Sequence, residues 1–182
     1  ENVSVFANPR VGILVTGSEI VTSAPSEGKI FDSNSFSLTA ALHEIRLCPA
    51  WLKRSADDKA LLSRHLAAGA AETDGLITTG GVSVGDFDFV REVATGLGFE
   101  EIFWQVKQKP GKPIYFSKTR EGKFLFGLPG NPASALVCFY EYVRPALLAF
   151  MGSRTPFLKA WKVPLANSFH KKQGLRHFLK GR

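Results

Sequence analysis

The sequence predicts a three-layer α/β/α fold with a mostly parallel central sheet, and three observations carry that prediction. Short β-branched runs alternate with helix-like segments, the order expected of a sheet covered by helices on both faces. The first run, VGILVT at 11–16, is continuously apolar, as a strand buried on both sides requires. Three loops rich in Gly, Pro or Lys each follow a predicted strand, where a doubly wound sheet keeps its ligand crevice.

The elements follow in order. VGILVT stops at Gly17, and DSNS at 32–35 then supplies N-cap residues for a helix reaching about residue 45. Phe36, Leu38, Leu42 and Ile45 form its expected buried stripe. Residues 48–53 are a weaker second strand. Asp57 is the expected cap of a helix through about residue 72, with Leu61, Leu62 and Leu66 inward. GLITTGG at 75–81 runs from strand into glycine loop, and Asp86 is placed as the cap of a helix over about 87–97. EIFWQV, PIYFSK and KFLFGL are three further strands, the latter two joined by a turn at 119–122. Asn131 as N-cap with Pro132 at the first helical position opens the longest apolar helix, 132–150. Beyond Gly152 the tail has alternating apolar residues, two prolines and no acids, a pattern that fits two strands of a small β-unit.

Composition excludes several classes. With 182 residues, 45% hydrophobic and 21% charged, the chain can bury a core without disulfides or a structural metal. Disorder, a collagen-like fibre and a disulfide scaffold are excluded. No apolar run of about eighteen residues stands out, so no membrane span is expected. Cys48 and Cys138 have no metal-type spacing and are expected as reduced thiols in a cytoplasmic protein. The chain starts ENVSVF, with neither a signal-peptide pattern nor a Met, and is expected to be a fragment of something longer. The formal charge of +7 is unevenly spread. Residues 1–141 hold 14 basic and 16 acidic side chains, whereas residues 142–182 hold 9 basic and none acidic. The excess lies in the tail, which weakens a whole-molecule argument for nucleic acid.

Three loops carry the chemistry. In TTGGVSVGDFD at 78–88, Gly80, Gly81 and Gly85 let backbone N–H groups converge, Ser83 adds a hydroxyl and a helix start adds positive potential. That is an anion cradle, with a plain glycine turn as an equal alternative. In GLPGNPASA at 127–135 the amides opening the long helix, with Ser134, could again face an anion; a well-capped core helix explains this loop better by itself. In KQKPGKP at 107–113, prolines stiffen a glycine turn and fix Lys109 and Lys112 three residues apart, which suits phosphate or an oxyanion. Glu19 follows the first strand, Asp57 and Asp58 the second, and Asp88 the glycine loop. Each Asp has a bland role as a helix cap. Acids from three strand ends beside an anion site nevertheless imply a divalent ion such as Mg²⁺. The four histidines suggest no zinc site or triad, and Phe87, Phe89, Phe103 and Trp104 read as core.

Together, PRVGILVTGSEI, GKIFDSNSFSL, ADD, TTGGVSVGDFDFV, KPGKP and GLPGNPASA, in this order from residue 9 to 152, resemble the molybdopterin-binding domain of the MoeA family, which includes the gephyrin E domain. The resemblance implies a molybdenum insertase that takes adenylylated molybdopterin and molybdate as substrates, releases AMP and uses Mg²⁺. On this resemblance Ser83, Lys109 and Lys112 hold molybdate and the pterin phosphate, and Pro113 shapes their pocket. Asp58 and Asp88 bind the metal and serve adenylate cleavage, with Glu19 as a third acid. The Gly80, Gly81 and Gly85 loop and the turn holding Pro129, Pro132 and Ser134 cradle pterin or phosphate.

It also implies residues 9–152 as the molybdopterin-binding domain, residues 153–182 as the start of a C-terminal β-domain, a homodimer in the longer protein, and a partner of the MogA type. Nucleic acid and membrane are not expected partners. Three departures stand out: Ser18 where relatives carry Asp, Arg46 where they carry Gly, and Gln105 where some carry Lys. The alternatives are a molybdopterin adenylyltransferase of MogA type, a CinA-type pyrophosphatase and a non-catalytic molybdopterin-binding scaffold. GGVSVGD in place of GGTG, the GLPGNP loop, and the retained Asp58, Asp88, Lys109 and Lys112 speak for the insertase.

Overall fold

The structure is a computed structural model that describes residues 2–23, 26–82, 89–171 and 173–181. In chain order it contains Val11–Thr16 (β1), Ile20–Val21 (β2), Ile30–Phe31 (β3), Ser33–Glu44 (α1), Pro49–Ser55 (β4), Lys59–Glu72 (α2) and Gly75–Thr79 (β5). There follow Val90–Gly96 (α3), Glu100–Trp104 (β6), Gln108–Lys109 (β7), Tyr115–Lys118 (β8) and Phe124–Leu128 (β9). Pro132–Cys138 (α4) and Arg144–Phe150 (α5) are joined without a break by the π-helical turn Phe139–Val143, and Arg176–His177 (β10) lies in the tail.

Six strands form one sheet in the order β4-β1-β5-β9-β8-β6. β4, β1, β5 and β9 run parallel, while β8 is antiparallel to both β9 and β6. The predicted three-layer α/β/α architecture with a mostly parallel sheet is what the chain adopts. The alternation of side chains along the strands divides the core in two. On one face Ile13, Ile77 and Phe126 pack with Leu38 and Leu42 of α1 and with Phe139 of the last helical run. On the other, Leu14, Leu76 and Leu125 pack with Leu62 and Leu66 of α2 and Val90 and Val93 of α3. Burying each such side chain contributes about 1.5–3 kcal/mol, so either layer is ample to anchor its helices.

Several local expectations need correcting. Phe36 is exposed, not buried; its ring stacks on exposed Phe31 at 5.7 Å, outside the α1 stripe. Asp58, not Asp57, caps α2, accepting from the Leu61 N–H at 2.7 Å. The helix expected over 87–97 is α3, which starts at Val90 with no side-chain cap bond; Asp86 lies outside the described residues. The run 132–150 does meet the length and composition of a membrane span, contrary to expectation. Its Ala135, Cys138, Phe139, Val143 and Leu147 are buried against the sheet, which is how a core helix behaves. The tail supplies one strand among its described residues, β10, and that strand pairs in parallel with β7 of the body rather than within the tail. Trp161, Val163 and Leu165 are each 73% exposed.

Candidate functional site

The loop that leaves β1 leads to α1 on one face of the sheet, and the chain from β5 leads to α3 on the other. Their carboxyl ends therefore part and leave a crevice. A cleft of about 480 Å³ opens there, reached by residues after β1, β4, β5 and β9 and by the start of α1.

Glycines make its floor. Gly80 has φ +83° and donates its N–H to Leu128 O at 3.0 Å. A Cβ there would lie 2.6 Å from Thr16 Oγ1 and 2.8 Å from Thr16 O, so no other residue fits without movement. Thr16 Oγ1 donates to Thr79 O at 3.0 Å and fastens the ends of β1 and β5 together. Gly81 has φ +66° and also lines the cleft, with Gly130, Asn131 and Pro132 opposite. Asn131 caps α4, its Oδ1 accepting from Ser134 N at 3.2 Å and Ser134 Oγ at 3.3 Å. Ser134 is thus engaged by the cap, Pro132 lines the cleft, and Pro129 is buried outside the cleft's lining.

Two carboxylates stand at this cleft, Glu19 and Asp57. The Glu19 carboxylate folds over Gly17, where a Cβ would lie 2.8 and 2.9 Å from its two oxygens. Asp57 is locked by a reciprocal pair: its Oδ2 accepts from Ser18 N at 2.8 Å and its own N–H donates to Ser18 Oγ at 3.0 Å. Ser18, which departs from the family pattern, thus secures an acid rather than supplying one.

Asn34 completes the wall. It is 5% exposed, and its Nδ2 donates to Gly130 O at 2.8 Å, tying the start of α1 to the loop after β9. A carbonyl can only accept, which fixes the amide orientation and leaves Oδ1, buried and without a partner among the described residues, as an acceptor. Thr79 Oγ1 is likewise buried and unpartnered among the described residues.

The predicted site residues are not all brought together. Glu19, Gly80, Gly81 and Pro132 converge on the cleft. Asp58 does not: its carboxylate is spent on the α2 cap, and Asp57 takes the place at the cleft that the resemblance gave to Asp58. Ser83, Gly85 and Asp88 lie outside the described residues. Among the described residues no group of three or more His, Cys, Asp or Glu forms a metal centre. Lys112 lines a separate depression of about 580 Å³ with Gln105, Lys107 and the tail residues Gln173 and Leu175. Lys109 is exposed in β7, its carbonyl accepting from Phe178 N at 2.9 Å, and Pro113 is half-buried. The tail therefore meets the lysine turn. Asn34 and Thr16 were missed from the sequence: DSNS reads as a helix cap, and nothing in it marks the Asn as facing a cleft rather than a turn.

The pattern described as "Probable molybdopterin binding domain" matches residues 12–149. A molybdopterin molybdenumtransferase of Haemophilus influenzae is 37% identical over 164 residues, 89% of this chain and 39% of the relative. One of Staphylococcus aureus is 32% identical over 182 residues, 99% of this chain and 43% of the relative. The chain thus spans about two fifths of the length of these curated relatives. Among solved structures, a molybdopterin biosynthesis MoeA protein of Pyrococcus horikoshii superposes with a TM-score of 0.70 at 31% identity, over 80% of this chain and 36% of that one. CinA of Thermoplasma acidophilum superposes with a TM-score of 0.63 at 12% identity, over 76% of this chain and 97% of that one, a likeness of fold alone.

Proposed function

This chain belongs to the MoeA family of molybdopterin-binding domains, and on that premise we propose that it binds adenylylated molybdopterin and molybdate, inserts molybdenum into the pterin dithiolene and releases AMP. The observation that carries the reading is the cleft: a tight glycine floor, the carboxylates of Glu19 and of Asp57, the latter held by Ser18, and a buried amide acceptor without a partner among the described residues, at one sheet switch point. Breaking a phosphoanhydride is chiefly positioning and charge neutralisation, and the residues present suit both tasks.

In this reading Gly81 and the loop 130–132, where α4 begins, lie against the phosphates, while Gly80, its N–H already given to Leu128 O, leaves the room that a side chain would fill. Asn34 Oδ1 accepts from a ring N–H, an amino group or a hydroxyl of the ligand, which relieves its unpaired burial. Lys109 and Lys112 supply the cationic charge that an oxyanion needs. The donor set at the cleft fits Mg²⁺, which usually takes one or two carboxylates and leaves the rest of its shell to phosphate and water. Glu19 and Asp57 would hold it, with Asp88 as a further candidate from the sequence, and it would neutralise the charge on the leaving AMP phosphate.

The test is calorimetry of the 182-residue chain with intact adenylylated molybdopterin, beside AMP alone. Tight binding of the pterin nucleotide and weak binding of AMP are expected. Binding of AMP with no binding of the pterin nucleotide would overturn the reading in favour of a nucleotide enzyme. Molybdate-dependent AMP release by a longer form of the protein then tests the insertion step.

A further inference from the structure

The turn carrying Lys109 and Lys112 rests on a buried polar cluster that no step above uses. Gln108, 3% exposed, sits between Lys107 and Lys109 with its side chain turned inward. Its Nε2 donates to Pro110 O at 3.0 Å and to Cys138 Sγ at 3.7 Å, and its Oε1 accepts from Tyr142 Oη at 2.5 Å. Pro110 O can only accept, so the amide cannot be turned round. The Cys138 thiol, fully buried, donates to Gly111 O at 3.5 Å.

The space above the cluster is closed. Gly111 has φ +88°, and a Cβ there would lie 2.5 Å from Cys138 Sγ and 2.7 Å from Gln108 Nε2. Both helix partners belong to one irregularity: Tyr142 lies inside the π-helical turn and Cys138 is its N-cap. A π turn holds more residues than an α turn, so it rotates the side chains around it, and such turns recur at functional sites. A buried network whose members satisfy one another holds a single geometry.

We propose that Gln108 and Tyr142 are positioning residues: through their shared, partly buried hydrogen bond, backed by Cys138, they hold the 109–113 turn so that Lys109 and Lys112 meet one oxyanion. This rests on the reading of those lysines as oxyanion ligands under Proposed function. Neither side chain touches the anion; both act through the turn.

Equilibrium dialysis of the 182-residue chain against molybdate, beside calorimetry with adenylylated molybdopterin, tests it. Tyr142→Phe keeps the ring and removes the donor to Gln108 Oε1; Gln108→Met keeps the volume and removes both ends of the clamp. Each is expected to weaken molybdate binding about fivefold, the worth of one neutral hydrogen bond, with pterin-nucleotide affinity changed less than about twofold. The double variant is expected to lose no more than the worse single, because the two residues work as one unit. Unchanged molybdate affinity in a folded Tyr142→Phe protein overturns the proposal, as do parallel losses of both ligands or full additivity in the double variant. If the wild-type chain binds neither ligand, it is the functional reading that fails, and the clamp's role falls with it.

Discussion

At the scale of single residues, the two adjacent acids Asp57 and Asp58 show how one position can change an assignment. The sequence places both after the second strand, and either can cap a helix. Which one does so depends on the backbone angle at which α2 begins, and spacing alone does not encode that angle. In the structure Asp58 accepts from Leu61 N, while Asp57 is held by Ser18 at the cleft. Asp58→Ala is therefore expected to lower stability by about 1 kcal/mol, the usual worth of an N-cap, with pterin-nucleotide affinity kept. Asp57→Ala is expected to do the reverse, weakening the ligand at least tenfold at little cost in stability. Urea midpoints and calorimetry on the two variants decide; the opposite pattern would return the role to Asp58.

At the scale of elements, the strongly patterned pieces were legible. β1, β9 and the Asn131-Pro132 helix start fall where apolar runs and capping chemistry put them, because local signals and burial agree there. The π-helical turn was not legible. Its FYEYV has nothing that separates it from an α-helical stretch, and the tertiary contact that accompanies it, Tyr142 with Gln108, lies 34 residues apart in sequence. Nor were the two-residue strands β2, β3, β7 and β10 legible, since pairs so short are set by what lies beside them. The end of α1 carries a departure with a measurable cost. Arg46 has φ +61°, a left-handed conformation that costs a side-chain-bearing residue about 1–2 kcal/mol. Arg46→Gly relieves that strain at the expense of a more flexible unfolded chain. A net gain of about 0.5–1 kcal/mol in urea unfolding is expected.

At the scale of the whole molecule, the charge of +7 would have pointed to polyanions, but its uneven distribution leaves a body whose positive field is local. The alkaline limit of the fold follows from thiol and phenol groups whose pKa folding raises. Burial pushes the Cys138 thiol up to about 12, and raises the Tyr115 and Tyr142 phenols above their ordinary value. Tyr140 is raised as well, chiefly by the hydrogen bond its hydroxyl donates to Glu44. In each case the folded state holds its proton more tightly than the unfolded state. Their contribution is thus fully present below about pH 9 and is lost as pH rises from 9 towards 12. Urea midpoints in a thiol reductant are expected to be level from pH 7 to 8.5 and to fall steadily above it; a midpoint unchanged at pH 10.5 would contradict this. The same burial makes Cys138 inert, so a thiol reagent at pH 8 should label exposed Cys48 alone until the protein is unfolded.

The pairing of β10 with β7 bears on where this polypeptide can be divided. Composition suggests a seam at residue 152, where helix gives way to basic tail. Yet Arg176 N donates to Lys107 O and Phe178 N to Lys109 O, both at 2.9 Å, so the far end of the tail returns to cover the backbone of the lysine turn. A cut at the seam would strip that strand of its hydrogen-bonding neighbour and leave a bare edge beside two cations, open to pairing with other chains. The boundary drawn from sequence marks where the helices stop, whereas the unit that must be kept whole for the lysine turn runs past it to at least Phe178.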